Sequence, residues 1–531
     1  MLYDNPTPLM DRNQMLDTLR RQKDPWDVVV IGGGATGLGT AVDAASRGYR
    51  TLLLERHDFA KGTSSRSTKL VHGGVRYLQQ GDVKLVLEAL QERGLMIKNA
   101  PHLVKNQGFV IPNYRWWDGP FYRMGLKVYD LMSGRLGIGS SRRLSKAQTI
   151  AYLPTIHREG LTGGVLYYDG QFDDARMAVS LARTAVHCKG MVLNYMQVER
   201  LLKTPSGTLE GVEARDRESG RRYAIRARSV VNATGVFADR VIRMDDPGSR
   251  PMIQPSQGVH LVLDREFLPG PYAIMVPNTS DGRVLFAVPW HNKIVLGTTD
   301  TPVGRPRLEP RARDREVDFI LETAAQYLAK APRRTDVKSV FAGLRPLIRP
   351  EKDEKATRQL SRYHRVVVSP AGLITVVGGK WTIYRKMAED AVAQAIRTGN
   401  LPDRRCTTRN LPVFGCDRHA DLRTDPLAVY GAERFDLLKL EEREPKWRGW
   451  LSQPLGIRRS QLKWAVQYEM ARTVEDFLAR RTRALFLDAR ESLRLAEEVA
   501  RLMAVELGHN DAWAKQQVAD YRRVADTYVL D

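Results

Sequence analysis

Asp27-Val28-Val29-Val30-Ile31-Gly32-Gly33-Gly34-Ala35-Thr36-Gly37 decides the fold. Residues 27–31 form a short, unbroken apolar run rich in β-branched side chains, the pattern of a parallel strand buried on both faces. The run enters Gly32-Gly33-Gly34-Ala35-Thr36-Gly37, which fits G-x-G-x-x-G. A helical stretch over 38–47 follows and closes at Gly48; a second strand, 51–54, ends at Glu55, 23 positions after Gly32. Strand, glycine turn, helix, strand and acid in this order predict a dinucleotide site. Gly32 allows the tight turn, Gly34 lets backbone N–H groups approach a pyrophosphate, and Gly37 permits close helix–strand packing. The helix N-terminus offers orphan N–H groups and a positive dipole end. Glu55 is placed to accept hydrogen bonds from ribose hydroxyls.

Glycines alone do not separate a nicotinamide from a flavin. Two later turns favour FAD. Val231-Asn232-Ala233-Thr234-Gly235 is a strand running into a small-residue turn that can return the chain to the nucleotide. Ile374-Thr375-Val376-Val377-Gly378-Gly379-Lys380-Trp381-Thr382 is a further buried strand with a Gly-Gly turn, followed by a helix over about 382–397. That helix N-terminus can sit under an isoalloxazine and stabilise its anionic reduced form.

The 531 residues are too many for one ordinary domain. A composition 43% hydrophobic and 27% charged supports large cores and excludes a disordered chain. The formal charge of +22 points to phosphates on small molecules, lipid headgroups or nucleic acid. Three cysteines, Cys188, Cys406 and Cys416, cannot staple such a chain and lack metal-ligand spacing; a reducing compartment without structural disulfides is expected, with no metal. Residues 1–25 are polar and basic, unlike a signal peptide, and no apolar run approaches a transmembrane helix.

Further motifs carry a resemblance. Gly62-Thr63-Ser64-Ser65 runs into Arg66-Ser67-Thr68-Lys69-Leu70-Val71-His72-Gly73-Gly74-Val75-Arg76-Tyr77-Leu78, and Phe341-Ala342-Gly343-Leu344-Arg345-Pro346-Leu347 and Gly378-Gly379-Lys380-Trp381-Thr382-Ile383-Tyr384-Arg385 follow. In this order they resemble the FAD-dependent glycerol-3-phosphate dehydrogenases, within the D-amino-acid-oxidase-like flavoproteins. The likeness runs over about 25–400 and continues through Ala471-Arg472-Thr473-Val474-Glu475-Asp476. It implies oxidation of sn-glycerol 3-phosphate to dihydroxyacetone phosphate, with electrons passed to ubiquinone or menaquinone by an enzyme peripherally attached to the cytoplasmic (inner) membrane. It places FAD against Gly32, Gly34, Ala35, Thr36 and Gly37; Glu55 and Arg56; Thr63, Ser64 and Ser65; Lys69, Leu70, His72, Gly73 and Gly74; Val198; Ala233, Thr234 and Gly235; and Gly379, Lys380, Trp381 and Thr382.

Removing a hydride from a secondary carbinol requires a held phosphate, an aligned carbon and a managed proton. A phosphate dianion calls for planar bidentate donors. The resemblance gives that task to Arg76 and Arg345, both flanked by glycine-bearing segments, with Tyr77 assisting. His260, on the alternating run Gly258-Val259-His260-Leu261-Val262, matches the family's strand histidine and suits general base work. Arg362 aligns with another family arginine that would stabilise a developing alkoxide; Lys380 is an alternative for that role or for the flavin pyrimidine edge, and His72 remains a further candidate.

The expected architecture is α/β: a Rossmann-like FAD-binding domain (26–100, 165–250, 364–398) interleaved with a mostly antiparallel substrate domain (101–164, 251–363), then a C-terminal helical domain (400–531). Residues 100–170 read as irregular, and a helix is expected near 174–189. Strands at 191–198 and 211–214 rejoin the FAD domain; 258–262, 273–276, 283–289 and 293–296 alternate as an antiparallel sheet. Leu462, Val466, Met470, Val474 and Phe477, then Leu493, Ala496, Val499, Ala500 and Met503, recur near helical spacing, while Arg458, Arg459, Arg480, Arg481 and Arg483 add positive charge. Trp116, Trp117, Phe121, Tyr122, Met124, Leu126, Val128 and Tyr129 interleave with Arg115, Arg123, Lys127 and Arg135, a composition suited to an anionic membrane surface. A homodimer is an open assembly. An oxidase that reduces oxygen to peroxide is the first alternative. A flavoprotein modifying nucleic acid is the second, disfavoured because no RNA-binding signature or basic tail is present.

Overall fold

Two large sheets organise the described residues, with a two-stranded pair, Trp450–Ser452 and Ile457–Arg458, in the C-terminal region. In the first, Trp26–Ile31 is central, with parallel partners Thr51–Leu54 on one side and Arg222–Asn232 on the other. Met191–Leu193 and Leu373–Gly378 extend the parallel order outwards, and His364–Val368 adds an antiparallel edge. Pleating sends alternate residues to opposite faces. Val28, Val30 and Leu53 enter a core against the helices Ala35–Ser46, Asp174–His187 and Tyr384–Thr398. Val29, Ile31, Leu52 and Leu54 enter a second core, closed by the antiparallel strands Met196–Lys203 and Leu209–Asp216. That two-sided burial explains the unbroken apolar run at 27–31. The computed structural model describes residues 10–74, 82–115, 126–132, 137–277, 279, 283–349 and 363–530.

The second sheet has ten strands and is mostly antiparallel. Ile253–Asp264 pairs with Ser339–Ile348 over ten residues and with Lys293–Gly297 on its other edge. Val104–Asn113 pairs with Gly163–Phe172 over ten residues, so much of the stretch read as irregular is regular sheet. Glycines obscured the pattern there: Gly108 lies against Tyr272, and Gly170 against the Val71 carbonyl. The expected boundary at 165 falls inside Gly163–Phe172, and Leu70–Val71 pairs with that same strand; both belong to the second sheet.

The polar N-terminal stretch contains a helix, Arg12–Arg21, capped by Asp11, with Leu16 and Leu19 buried beneath the first sheet. In the C-terminal region Ala489–Leu507 carries the expected apolar stripe. The preceding stripe is not one helix: Arg459–Tyr468 ends before Glu469, whose fully buried carboxylate takes both terminal nitrogens of Arg176 at 2.7 and 2.8 Å. Chain then resumes as a π-helical turn, Asp476–Arg481.

Arg480, Arg481 and Arg483 are buried, which corrects their reading as added positive charge. Asp58 accepts from Arg480 Nε at 2.5 Å and from Arg481 at 2.7 and 2.9 Å. Arg480 also reaches Glu475 and Asp476, each at 2.6 Å. Burial pushes the Asp58 carboxyl up, but Arg481 and Arg480 outweigh it and bring it down to about 2. These pairs join the C-terminal region to the loop after the second parallel strand.

Candidate active site

The parallel strands end side by side. Ile31 is paired with Leu54 and Asn232, and Asn232 with Thr375. Ligands in open parallel sheets collect at such carboxyl ends. Gly32 has φ +108°, and a Cβ there would lie 2.8 Å from the Ala233 carbonyl oxygen; one on Gly37 would lie 1.8 Å from the Gly32 oxygen. Turn and helix therefore meet backbone to backbone. Ser64 Oγ accepts from Ala35 N at 2.9 Å at the helix N-terminus, and Trp381 Nε1 donates to Ser64 O at 2.8 Å. The Thr63–Ser65 turn thus bridges the first glycine turn to the Gly378–Gly379 turn, where φ is +76° and +75°. Ala233 N donates to Ile31 O, while Gly235, at φ +58°, has open space where a side chain would stand.

A glycine cradle with left-handed turns at a helix N-terminus whose N-cap is Gly34 fits the pyrophosphate of FAD. The Glu55 carboxyl accepts from Gly33 N at 2.6 Å and His57 N at 2.7 Å, so it braces the glycine turn. Burial pushes that carboxyl up against these two donors. Arg56 is exposed beside it, and Thr234 Oγ1 donates to Asn232. Val198 and Leu70 are packed in cores. Ser65 is buried, with its carbonyl taken by Lys69 and Arg483. Gly73 N donates to Tyr129 Oη, and Gly74 turns at φ +77°. His72 offers its carbonyl to Thr382 Oγ1 at 3.4 Å; burial, with Lys380 and Arg93, pulls its imidazole down to about 3. Lys380 lies in extended backbone ahead of the Trp381–Ile383 turn.

Lys69, expected against the cofactor, turns its side chain inward. Its side chain has no exposure, and its Nζ donates to Ser65 O at 2.8 Å and Asp174 Oδ2 at 2.7 Å. It reaches the junction with the C-terminal region, where Phe486 lies over it.

The second sheet brings His260 and Arg345 to one face. His260 is in register with Phe341, Gly258 with Gly343, and Ser256 with Arg345. The guanidinium lies over Gly258, whose Cβ would meet Nη2 at 2.6 Å. Arg345 donates to Asp300 Oδ1 at 3.1 Å, Thr299 O at 3.0 Å and Thr298 Oγ1 at 3.3 Å, and its side chain keeps 35% of its exposure. His260 stacks on Phe341 at 4.8 Å, and its Nε2 lies 2.9 Å from Thr68 Oγ1. Burial, then Lys69 and Arg345, hold the imidazole well below its ordinary value, which favours the neutral ring. Sequence reasoning missed Thr68, Thr298, Asp300 and Phe341 as partners, although Thr68 and Phe341 stand in the quoted motifs.

Arg76, Tyr77 and Arg362 lie outside the described residues, as do Trp116, Trp117, Phe121, Tyr122, Arg123, Met124 and Arg135. Leu126 and Tyr129 are buried, and Tyr129 Oη bonds Asp169 at 2.8 Å, so neither faces a membrane.

Residues 27–385 match the family described as FAD dependent oxidoreductase, and 374–514 the C-terminal domain of alpha-glycerophosphate oxidase. The mitochondrial glycerol-3-phosphate dehydrogenase of Schizosaccharomyces pombe is 38% identical over 93% of this chain and 87% of its own. The human mitochondrial enzyme is 37% identical over 96% of this chain and 74% of its own. The structure of the glycerol-3-phosphate dehydrogenase from Bacillus halodurans complexed with FAD is 31% identical, covers 98% of both chains and superposes with a TM-score of 0.79.

Proposed function

The chain belongs to the FAD-dependent glycerol-3-phosphate dehydrogenase family, and from that premise we propose how its residues divide the work. It is an FAD enzyme that oxidises glycerol 3-phosphate. FAD, when bound, accepts the hydride from the carbinol carbon. Arg345 holds the substrate phosphate, with Arg76 and Tyr77 completing the anion site. His260 takes the hydroxyl proton at Nε2, the nitrogen that faces the half-buried Thr68 hydroxyl. Arg362 or Lys380 stabilises the alkoxide that develops as that proton leaves.

One observation carries this division. A buried imidazole and a buttressed guanidinium share one face of one sheet, with the Gly258–Gly343 pair between their register positions. The base works when neutral. Its acid limb in kcat/KM therefore lies well below the ordinary histidine range, activity being lost as pH falls through the depressed value. His260→Ala is expected to lower kcat by about 10²–10⁴ with KM little changed. An unchanged kcat would remove His260 from the mechanism.

The electrons pass to ubiquinone or menaquinone at a membrane surface. No helix among the described residues is long and apolar enough to cross a membrane, so attachment is peripheral in this reading. Supporting it, Val83 and Leu87 on Val83–Asn99, with Val128 and Leu131 on 126–132, are exposed beside Lys84 and Lys127. The competing acceptor is oxygen. Quinone-analogue reduction much faster than peroxide release is the expected result; the reverse would make the chain an oxidase.

A further inference from the structure

We propose that Lys69 is a positioning residue for His260, acting through the ring of Phe341 rather than on the cofactor. The inference rests on the reading of His260 as the proton acceptor.

Lys69 is a non-glycine residue at φ +64°, a conformation that side-chain-bearing residues adopt only where the surroundings enforce it. What enforces it is the destination of the ammonium. Two of its protons go to Ser65 O and Asp174 Oδ2. The rest of the group faces three rings from three elements: Phe341 at 5.1 Å, Trp290 at 5.2 Å and Phe486 at 5.2 Å. Such a cage suits a desolvated cation. Phe341 is also stacked on His260, with 14° between the planes. Thr68, the residue immediately before Lys69, meets His260 Nε2. On the strand at its other edge, a Cβ on Gly297 would stand 2.3 Å from His260 Cδ2, so backbone closes that side. Two consecutive residues thus hold the imidazole, Thr68 at its edge and Lys69 through the ring packed against it.

The charged groups around His260 are few. Lys69, across the Phe341 ring, and Arg345 are the charges whose fields reach it. Behind Lys69 stand Asp174 and Arg483, with Asp173 near Arg483; behind Arg345 stands Asp300. Burial pulls the Lys69 ammonium down to about 7 against the attraction of Asp174, so the group carries its charge throughout the acidic range where His260 titrates.

The test is kcat/KM against pH for the holoenzyme and for Lys69→Met, Phe341→Leu and His260→Ala, with FAD content read from absorbance. A unit charge about 10 Å away at an effective dielectric of about 20 moves a pKa by about one unit. Lys69→Met is expected to keep its FAD and to shift the acid limb about one pH unit upwards, because removing a positive neighbour makes His260 easier to protonate. Phe341→Leu is expected to lower kcat several-fold at constant KM and FAD content. A Lys69→Met profile that falls uniformly without moving its limb would overturn the proposal, as would FAD loss from Lys69→Met alone. Normal kcat in Phe341→Leu would also overturn it. Should Lys69→Met fail to fold, Lys69→Met combined with Asp174→Asn, which removes the paired carboxylate as well, is expected to show a smaller shift in the same direction, and no shift would overturn the proposal. A His260→Ala enzyme with the wild-type profile would instead sink the base assignment itself.

Discussion

Arg345→Ala will lose two to three orders of magnitude in kcat/KM for sn-glycerol 3-phosphate while keeping its FAD. The guanidinium is held by Thr298, Thr299 and Asp300 over the flat backbone of Gly258, so it is oriented before any substrate arrives. Pre-orientation lowers the entropy lost on binding an anion. Two charge-assisted hydrogen bonds to phosphate are together worth about 3–4 kcal/mol, which is the stated factor at 1.4 kcal/mol per tenfold. The defect should fall mainly on KM. Arg345→Lys should recover only part of it, since an ammonium keeps the charge without the fork. Steady-state kinetics with the FAD spectrum as internal control decides the matter. A normal KM in Arg345→Ala would move the phosphate elsewhere.

Asp58→Ala is expected to have the largest effect on stability, a loss of about 3–5 kcal/mol. Asp58 and Arg481 are both without exposure, and Asp58 supplies both of the close carboxylate contacts of Arg481; Glu469 Oε2 is 3.8 Å away. Removing the carboxylate leaves the buried Arg481 guanidinium with the Glu469 carbonyl as its only hydrogen-bond acceptor among the described residues. The pH dependence has a definite sign. A carboxyl brought down to about 2 contributes stability that is complete above its unfolded value of about 3.9 and is lost as pH falls through about 2. Wild type should therefore lose this contribution between about pH 4 and pH 2, and the variant should lack that slope. Because Asp58 follows Glu55 on the loop that braces the glycine turn, weakened FAD retention should accompany the lower stability. Thermal unfolding that matches wild type at neutral pH would show that the ionic junction is dispensable.

The centre of the first sheet was legible in sequence because Trp26–Ile31, Thr51–Leu54 and Leu373–Gly378 are buried along almost their whole length. Val28 to Ile31 had no polar position to confuse the pattern, and the glycine turn has few alternative explanations. His260 and Arg345 could be singled out for the same reason, through short motifs. Their shared face could not, since it depends on a ten-residue register between strands more than seventy residues apart. Arg480, Arg481 and Arg483 looked like surface charge because a one-dimensional reading cannot see Asp58 or Asp174, hundreds of positions away. Val104–Asn113 and Gly163–Phe172 were missed because glycines that admit aromatic rings and backbone also erase alternation. The destination of the Lys69 side chain was equally hidden, since its partner Asp174 lies 105 positions away.

The central claim is that bound FAD and a cationic niche together take electrons from a small phosphorylated alcohol. Anaerobic addition of sn-glycerol 3-phosphate to the purified yellow protein tests it most directly. Loss of the flavin absorbance with that compound, and none with glycerol at the same concentration, is the expected result. A colourless preparation, or bleaching that proceeds equally with glycerol, would contradict it.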